Sequence, residues 1–262
     1  MPPSPPELLA ALRPLLLSAG AVALDAFRRV GFDLKQDGSE VTEADRRAEA
    51  VLVEGLARAF PQHGVVGEEG TRVAGSAGTW YVDPLDGTSS FLQGMAHWGP
   101  TVCLVEDGAL VAGAFWMPRL GELYHVVAGE GAWRGDQRLR GRWAKVPGRN
   151  DAVAVPSRFH RRDRLAWPGK SRALGSTAAH LALTAGGGLQ AALVPGWKLW
   201  DVGCGVLLVQ EAGGRVVDLR GRAYDPRDPS GPFWAGSPAA LEVLTAHPFP
   251  DGFPIPLGES AR

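Results

Sequence analysis

Residues 80–88 read WYVDPLDGT. The apolar run at residues 80–82 is followed directly by two aspartates three positions apart, Asp83 and Asp86. Pro84 fixes φ and Gly87 permits a tight turn, so the loop is stiff and both carboxylates can converge on one point. Convergent carboxylates repel one another unless cations lie between them, and all-oxygen ligation selects Mg²⁺, Mn²⁺ or Ca²⁺ over zinc. The stretch therefore predicts a buried strand that ends in a cation site.

Two further acidic motifs extend this site along the chain. Residues 67–70 read GEEG after a short apolar run, again at a predicted strand end. Only one of Glu68 and Glu69 needs to face the cations, because successive side chains in extended backbone point to opposite sides. Asp201 alone would be an ordinary helix N-cap, but the small residues 203–205 suit a helix whose first turn packs closely against a neighbour. The four predicted ligands are Glu68, Asp83, Asp86 and Asp201.

Composition limits the classes of function. The 262 residues are 45% hydrophobic and 21% charged, as in a globular chain of one large domain or two intimate ones. The net charge of −1 gives no basic surplus for nucleic acid or an anionic membrane. Cys103 and Cys204 form neither a disulfide framework nor a zinc signature. No uninterrupted apolar run reaches the roughly 18–20 residues of a membrane span, and no secretory signal is recognisable, so we expect a cytoplasmic protein.

The periodicity of apolar residues predicts α/β organisation in two parts. Helical patterns run from Glu7 to about Val30, from Thr42 to Pro61, from Gly175 to Gly186 and from Asp201 to Gly213. Predicted strands cover residues 65–66, 80–82, 101–105, 110–116, 123–127, 152–155, 189–194 and 215–219. The Arg-rich residues 141–165 are the expected seam. We predict an N-terminal α+β subdomain at 1–145 and a C-terminal α/β subdomain at 146–262.

Other phosphate chemistries do not fit the chain. A cysteine phosphatase needs Arg six positions after its thiolate, where Cys204 is followed by Gln210. Haloacid-dehalogenase enzymes separate their two aspartates by one residue, whereas Asp83 and Asp86 are separated by two. The sequence contains no nucleophile elbow, Walker A loop or dinucleotide fingerprint, and its histidines show no paired ligand spacing. Metal-activated water without a covalent intermediate remains.

With these residues in view, the chain resembles the inositol monophosphatase family of Mg²⁺-dependent, lithium-sensitive phosphomonoesterases. The resemblance rests on motifs at residues 35–45, 67–70, 83–91, 175–178, 200–201 and 211–214. It implies a layered α-β-α-β-α sandwich, a fold of the α/β (α+β) class, with the site between two intimately packed subdomains. It also implies a small phosphorylated metabolite as substrate and a homodimer.

The resemblance assigns ligands residue by residue. Glu68, Asp83 and the Leu85 carbonyl would hold one Mg²⁺, and Asp83, Asp86 and Asp201 would hold a second. A third, weaker Mg²⁺ would lean on Glu68 and water, which gives two to three cations per site, with Mn²⁺ a possible substitute. Lithium would inhibit by competing at the second position.

Further residues receive catalytic and substrate roles by the same resemblance. Thr88, oriented by Asp45 or Glu68, would position the attacking water. The backbone N–H groups of Gly87 and Thr88 would grip the phosphate, and Ser176 lies in a motif on the substrate side.

The substrate is the open question. Inositol-selective members commonly carry an acidic residue seven positions before the metal-binding Asp of the Trp-Asp motif, and Val194 stands there, which removes an acceptor for sugar hydroxyls. Residues 35–45 look more like histidinol-phosphate and 3′-nucleotide phosphatases of the same superfamily. We expect inositol-1-phosphate or a related sugar phosphate, with histidinol phosphate or 3′-phosphoadenosine 5′-phosphate as alternatives. A binding role with the transcription machinery is a further alternative. Candidates for a nucleotide platform are Arg158, His160, Trp197 and Lys198.

Overall fold

The computed structural model describes residues 4–29, 31–34, 40–159, 165–196, 198–224 and 231–246. Some predictions made above fall on residues outside this set: Val30, residues 35–39 of the motif at 35–45, His160, residues 161–164 of the expected seam, and Trp197.

The described residues form six helices: α1 (Pro5–Ala26), α2 (Glu43–Ala59), α3 (Thr88–Leu92), α4 (Thr177–Ala185), α5 (Leu199–Glu211) and α6 (Pro238–Thr245). Thr42 is the N-cap of α2 and forms a capping box with Asp45, as its Thr-x-x-Asp spacing predicts. α1 ends at Ala26 because Phe27 leaves the helical region, at φ −55° and ψ 125°. α5 begins at Leu199, two residues before Asp201, and α6 was not predicted from the sequence.

A large sheet follows α2. Its eight strands are β3 (His63–Gly67), β4 (Arg72–Val73), β5 (Gly78–Asp86), β6 (Gly99–Glu106), β7 (Ala109–Met117), β8 (Glu122–Val127), β9 (Gly131–Arg134) and β10 (Gln137–Arg138). They lie in the order β10-β9-β8-β7-β6-β5-β3-β4, and β3 and β5 are the parallel pair. A separate short hairpin of β1 (Asp33–Leu34) and β2 (Glu40–Val41) precedes α2.

A second sheet has five strands: β11 (Ala152–Ala154), β12 (Lys170–Arg172), β13 (Ala191–Val194), β14 (Arg215–Asp218) and β15 (Phe233–Gly236). Their order is β12-β11-β13-β15-β14, in which β11 is parallel to both β12 and β13. The polypeptide between β10 and β11 covers residues 139–151, and the predicted seam at 141–165 overlaps it from residue 141 onward.

Burial alternates along the strands and divides the molecule into five layers. Val102 and Leu104 of β6 pack with α1 and α2, while Cys103 between them packs with α4 and α5. In β13, Ala192 and Val194 face the same central helices. Ala191 and Leu193, the other two residues of β13, pack with α6 on the far side. Because both sheets are covered on both faces, the layers run α-β-α-β-α, as predicted.

One helix in the described part of the chain has the length and composition of a membrane span, residues Pro6–Ala26 of α1. The sequence had predicted no such segment, because charged side chains interrupt its apolar runs. Leu8, Leu12 and Leu16 are buried against Leu52 and Leu56 of α2. Packing in the first layer therefore accounts for the apolar face of α1.

Candidate active site

The parallel pairing of β3 with β5 places the first two acidic motifs side by side. Gly67 lies opposite Val82, so the next residues along the two chains, Glu68 and Asp83, lie side by side. The Glu68 N–H donates to the Val82 carbonyl at 3.0 Å, which continues the pairing by one step. The short apolar runs before the two motifs are therefore neighbouring strands, and the register between these strands brings the carboxylates together.

A bulge in β5 reorients the chain between the two aspartates. Asp83 lies opposite Thr101 and Asp86 opposite Gly99, so two residues of β5 face one residue of β6. Pro84 is tolerated there because a bulged residue need not donate to the ladder. The Leu85 N–H donates to Asp83 Oδ1 at 2.8 Å, which fixes the carboxylate against its own turn.

α5 brings Asp201 from the second half of the chain. A side chain at Gly203 would overlap the Cys103 sulfur, so only glycine lets the first turn of α5 approach β6 this closely. Asp201 is the third residue of the helix, and its Oδ2 accepts the Lys198 N–H at 2.9 Å. The carboxylate therefore caps α5 with one oxygen while it reaches the acidic site.

Three carboxylates meet at this point. Oxygen atoms of Glu68, Asp83 and Asp201 lie within 4.8 Å of one another. Burial first, and then repulsion from Glu68, Asp86 and Asp201, raise the pKa of Asp83 well above its usual range. Burial, Asp86 and Glu68 raise the pKa of Asp201 to about 8. Such a trio takes up protons unless cations compensate its charge, and its all-oxygen donor set fits a hard divalent ion.

Asp86 lies outside this trio and is held by the start of α4. It accepts hydrogen bonds from Ser176 Oγ, from the Ala178 N–H at 2.9 Å and from the Thr177 N–H at 3.3 Å. Burial raises the pKa of Asp86 to about 6, although these three hydrogen bonds lower it. Ser176 also caps α4, through the Ala179 N–H at 3.0 Å. The structure thus places Ser176 against Asp86, whereas the sequence analysis named Ser176 only as part of a motif on the substrate side.

Thr88 and Asp45 meet beside the bulge. The Thr88 hydroxyl lies 3.2 Å from the Leu85 carbonyl oxygen and 3.4 Å from Asp45 Oδ1. It has one proton and can donate to only one of these acceptors at a time. Asp45 Oδ2 accepts the N–H and the hydroxyl of Thr42, so the α2 capping box orients Asp45 toward Thr88.

Gly87 joins the bulge to α3 in a conformation that requires glycine. Its φ is +91°, and an added Cβ would lie 2.9 Å from the Ser176 Cβ and 3.0 Å from the His97 carbonyl oxygen. Glycine therefore lets the end of the bulge pack directly against Ser176.

Glu49 is a residue that the sequence reasoning missed. It is buried on α2, where one carboxylate oxygen accepts the Glu69 N–H at 2.7 Å and the other accepts the Thr71 hydroxyl at 2.6 Å. It also packs against the Cα of Gly67, where a side chain would collide with its carboxylate. The available signal was its position one helical turn after Asp45. Glu49 therefore fixes the loop that carries Glu68.

Val194 ends β13 within the central hydrophobic cluster and is 1% exposed. Its side chain has no polar atom to offer a substrate, and its predicted place on the substrate side stays a prediction.

Comparisons with known proteins give a consistent assignment. Residues 5–247 match the profile of the inositol monophosphatase family. An inositol-1-monophosphatase of Mesorhizobium japonicum is 37% identical over 205 residues, which cover 72% of this chain and 75% of the relative. A histidinol-phosphatase of Chlorobaculum parvum is 34% identical over 231 residues, covering 83% and 87%. The crystal structure of the extragenic suppressor protein suhB from Bartonella henselae superposes with a TM-score of 0.83 at 27% identity, covering 91% of this chain and 97% of that one.

Fold, acidic cluster and relatives together define a phosphoric monoester hydrolase with a site able to bind metal. The chain belongs to the inositol monophosphatase family. The family expected from the sequence motifs and the layered fold expected from that resemblance are both confirmed.

Proposed function

We propose that this protein is a Mg²⁺-dependent phosphomonoesterase that hydrolyses a small alcohol phosphate, inositol-1-phosphate or a related sugar phosphate. The observation that carries the proposal is the meeting of Glu68, Asp83 and Asp201 within 4.8 Å. These carboxylates come from three separate segments, and burial with mutual repulsion raises the pKa of two of them. Bringing like charges together destabilises a fold, so such a cluster indicates a functional site.

The donor set supports two cation positions. Glu68, Asp83 and the Leu85 carbonyl would hold one Mg²⁺, and Asp83, Asp86 and Asp201 would hold the second. A third, weaker Mg²⁺ at Glu68 and substitution by Mn²⁺ complete the proposal. Bound here, the cations would lower the pKa of water, offset phosphate charge and stabilise the leaving oxygen.

Thr88 and Asp45 would orient the attacking water. When the Thr88 hydroxyl donates to Asp45 Oδ1, its oxygen lone pairs can accept a proton from a water held at the site. As the water oxygen attacks phosphorus, its proton passes to Thr88 Oγ1 and the Thr88 proton passes to Asp45 Oδ1. The bond from phosphorus to the ester oxygen breaks, and the departing alkoxide takes a proton from solvent. The N–H groups of Gly87 and Thr88 would bind the phosphate oxygens.

The substrate class beyond the phosphate rests on few groups. Val194 offers no acceptor to a polyol, which weakens the case for strict inositol selectivity. Relatives of similar identity carry the names inositol-1-monophosphatase and histidinol-phosphatase. Histidinol phosphate and 3′-phosphoadenosine 5′-phosphate are therefore the alternative substrates. Arg158 and Lys198 are exposed cations that would suit a larger anionic substrate.

We further propose lithium inhibition at the second cation position, a homodimer and a cytoplasmic location, without nucleic-acid or membrane partners. The near-neutral net charge of −1 supports the proposal that nucleic acid and membranes are not partners.

A substrate panel tests the proposal. Phosphate release is measured from inositol, fructose-bisphosphate, histidinol and adenosine phosphates, each with Mg²⁺, with EDTA and with Mg²⁺ plus Li⁺. We expect release from at least one small ester, abolished by EDTA and reduced by Li⁺. Turnover that EDTA leaves unchanged would contradict the metal-dependent mechanism, and inactivity on every ester would favour the binding role.

A further inference from the structure

A tight corner at residues 173–176 joins β12 to α4, and both backbone groups of one of its residues, Leu174, are hydrogen-bonded. The Leu174 N–H donates to His180 Nε2 at 2.9 Å, and the Leu174 carbonyl accepts the Ser90 hydroxyl at 2.6 Å. Ser90 belongs to α3, which follows Asp86 and Gly87 directly. Ser176, two residues after Leu174, donates to Asp86. The corner is therefore fixed between α4 and the segment that carries Asp86.

His180 occupies a position in α4 that lets it return to this corner. It lies one turn after Ser176, to whose carbonyl its own N–H donates at 3.1 Å, and it is 5% exposed. A backbone N–H can only donate, so Nε2 must accept and the ring proton must lie on Nδ1. Burial and the neighbouring His97 lower the pKa of His180 to about 4, which keeps Nε2 available at neutral pH.

The consequence reaches the acidic site through Ser176. Asp86 is buried, and its three described hydrogen bonds all come from residues 176–178. These donors meet Asp86 only while the corner keeps its shape. Without the His180 acceptor, the Leu174 N–H would be left without a protein partner in a part-buried setting, and we expect the corner to move to satisfy it.

We propose that His180 is a positioning residue for the cation site. Its side chain holds the corner at residues 173–176, so that Asp86 is presented in the geometry a cation requires. The inference rests on the proposed role of Asp86 as a ligand. His180 acts through Leu174 and Ser176 and does not itself touch the substrate.

Two substitutions at one position separate the hydrogen bond from packing. His180→Leu removes the acceptor, whereas His180→Gln places a carbonyl oxygen near the former Nε2. The Mg²⁺ concentration for half-maximal phosphate release and the affinity for Mn²⁺ without substrate, read by electron paramagnetic resonance, are measured for both. We expect H180L to weaken both about tenfold, the lower end of the range for groups that orient ligands, and H180Q to stay within about threefold of the unaltered protein.

His125→Leu is the matched control. His125 is also buried, at 3% exposure, and its Nε2 lies 3.0 Å from a backbone oxygen, that of Gly135 on the far part of the large sheet. H125L should lower the unfolding midpoint without changing either metal measurement. If H180L yields no folded protein, Ser90→Ala removes the other bond to Leu174 and should weaken Mn²⁺ affinity in the same direction.

The outcomes distinguish this inference from the function on which it rests. Unchanged metal affinity in H180L, or equal losses in H180L and H180Q, overturns the positioning role alone. An unaltered protein that binds no Mn²⁺ and hydrolyses esters in EDTA overturns the proposed function, and this inference with it.

Discussion

Asp83→Asn removes one charge from the centre of the acidic cluster while keeping its shape. Asp83 is 2% exposed, and its Oδ1 accepts the Leu85 N–H, a bond that an Asn oxygen can also accept. Because burial and three neighbouring carboxylates raise the pKa of Asp83 well above its usual range, the metal-free protein already favours a neutral group here. We therefore expect D83N to fold and, in EDTA, to unfold at nearly the temperature of the unaltered protein.

The effect of Mg²⁺ on the unfolding temperature should differ sharply between D83N and the unaltered protein. At one hundred times its Kd, Mg²⁺ stabilises a protein by about 2.7 kcal/mol, which for a chain of this size raises Tm by roughly 5–10 °C. D83N loses a ligand proposed for two cations, so most of this shift should disappear. Turnover should fall by at least about a hundredfold, because loss of a group that merely orients a ligand costs 10–100-fold.

The assays are thermal unfolding with EDTA and with Mg²⁺, and phosphate release. Asp25→Asn is the control, since Asp25 lies on the surface of α1 with its side chain 78% exposed. D25N should keep both turnover and the Mg²⁺-induced shift. A D83N protein with near-normal turnover and an intact Mg²⁺ shift would refute the ligand assignment.

Three further predictions follow from named groups. Thr88→Ala should lower kcat by about a hundredfold or more while keeping the Mg²⁺-induced Tm shift, whereas Thr88→Ser should retain most activity in steady-state assays. Gly87→Ala should lower the unfolding free energy by more than about 2 kcal/mol in urea, since it combines φ +91° with contacts near 3 Å; Gly129→Ala, at φ +80° in open space, should cost only about 1 kcal/mol. His180, with its pKa lowered to about 4, stays neutral when folded but gains a proton near pH 6.5 when unfolded. The stability that it contributes is present above about pH 6.5 and is lost as pH falls toward 4, so H180Q should show a shallower acid slope in urea titrations; an unchanged slope would contradict the lowered pKa.

Local sequence was enough for the parts of the site whose geometry is local. The apolar runs before Glu68 and Asp83 predict strands that end near each carboxylate, whereas the parallel register that brings the two carboxylates together is seen only in the structure. Asp201 was assigned as a ligand by motif, but its dual position, as helix cap and as cluster member, depends on the close packing of α5 on β6. No local pattern sets that packing.

Other features depend on contacts that a linear pattern does not encode. Glu49 looks like a solvent-facing helix residue until the loop at residues 67–71 folds onto it. β9 (GAWR) and β10 (QR) contain no apolar run that would indicate a strand, and β15 was likewise not predicted. His180 shows no ligand spacing in sequence, and its partner Leu174 becomes apparent only where the corner turns back on α4.

The central claim is that Glu68, Asp83 and Asp201 form a cation site, and a crystal grown with Mn²⁺ tests it most directly. Anomalous scattering at a wavelength near the manganese edge locates the ion without reference to activity. We predict a peak bounded by these three carboxylates, with further Mn²⁺ toward Asp86. An anomalous map with no peak among them, in a crystal whose protein is saturated with Mn²⁺ in solution, would contradict the account.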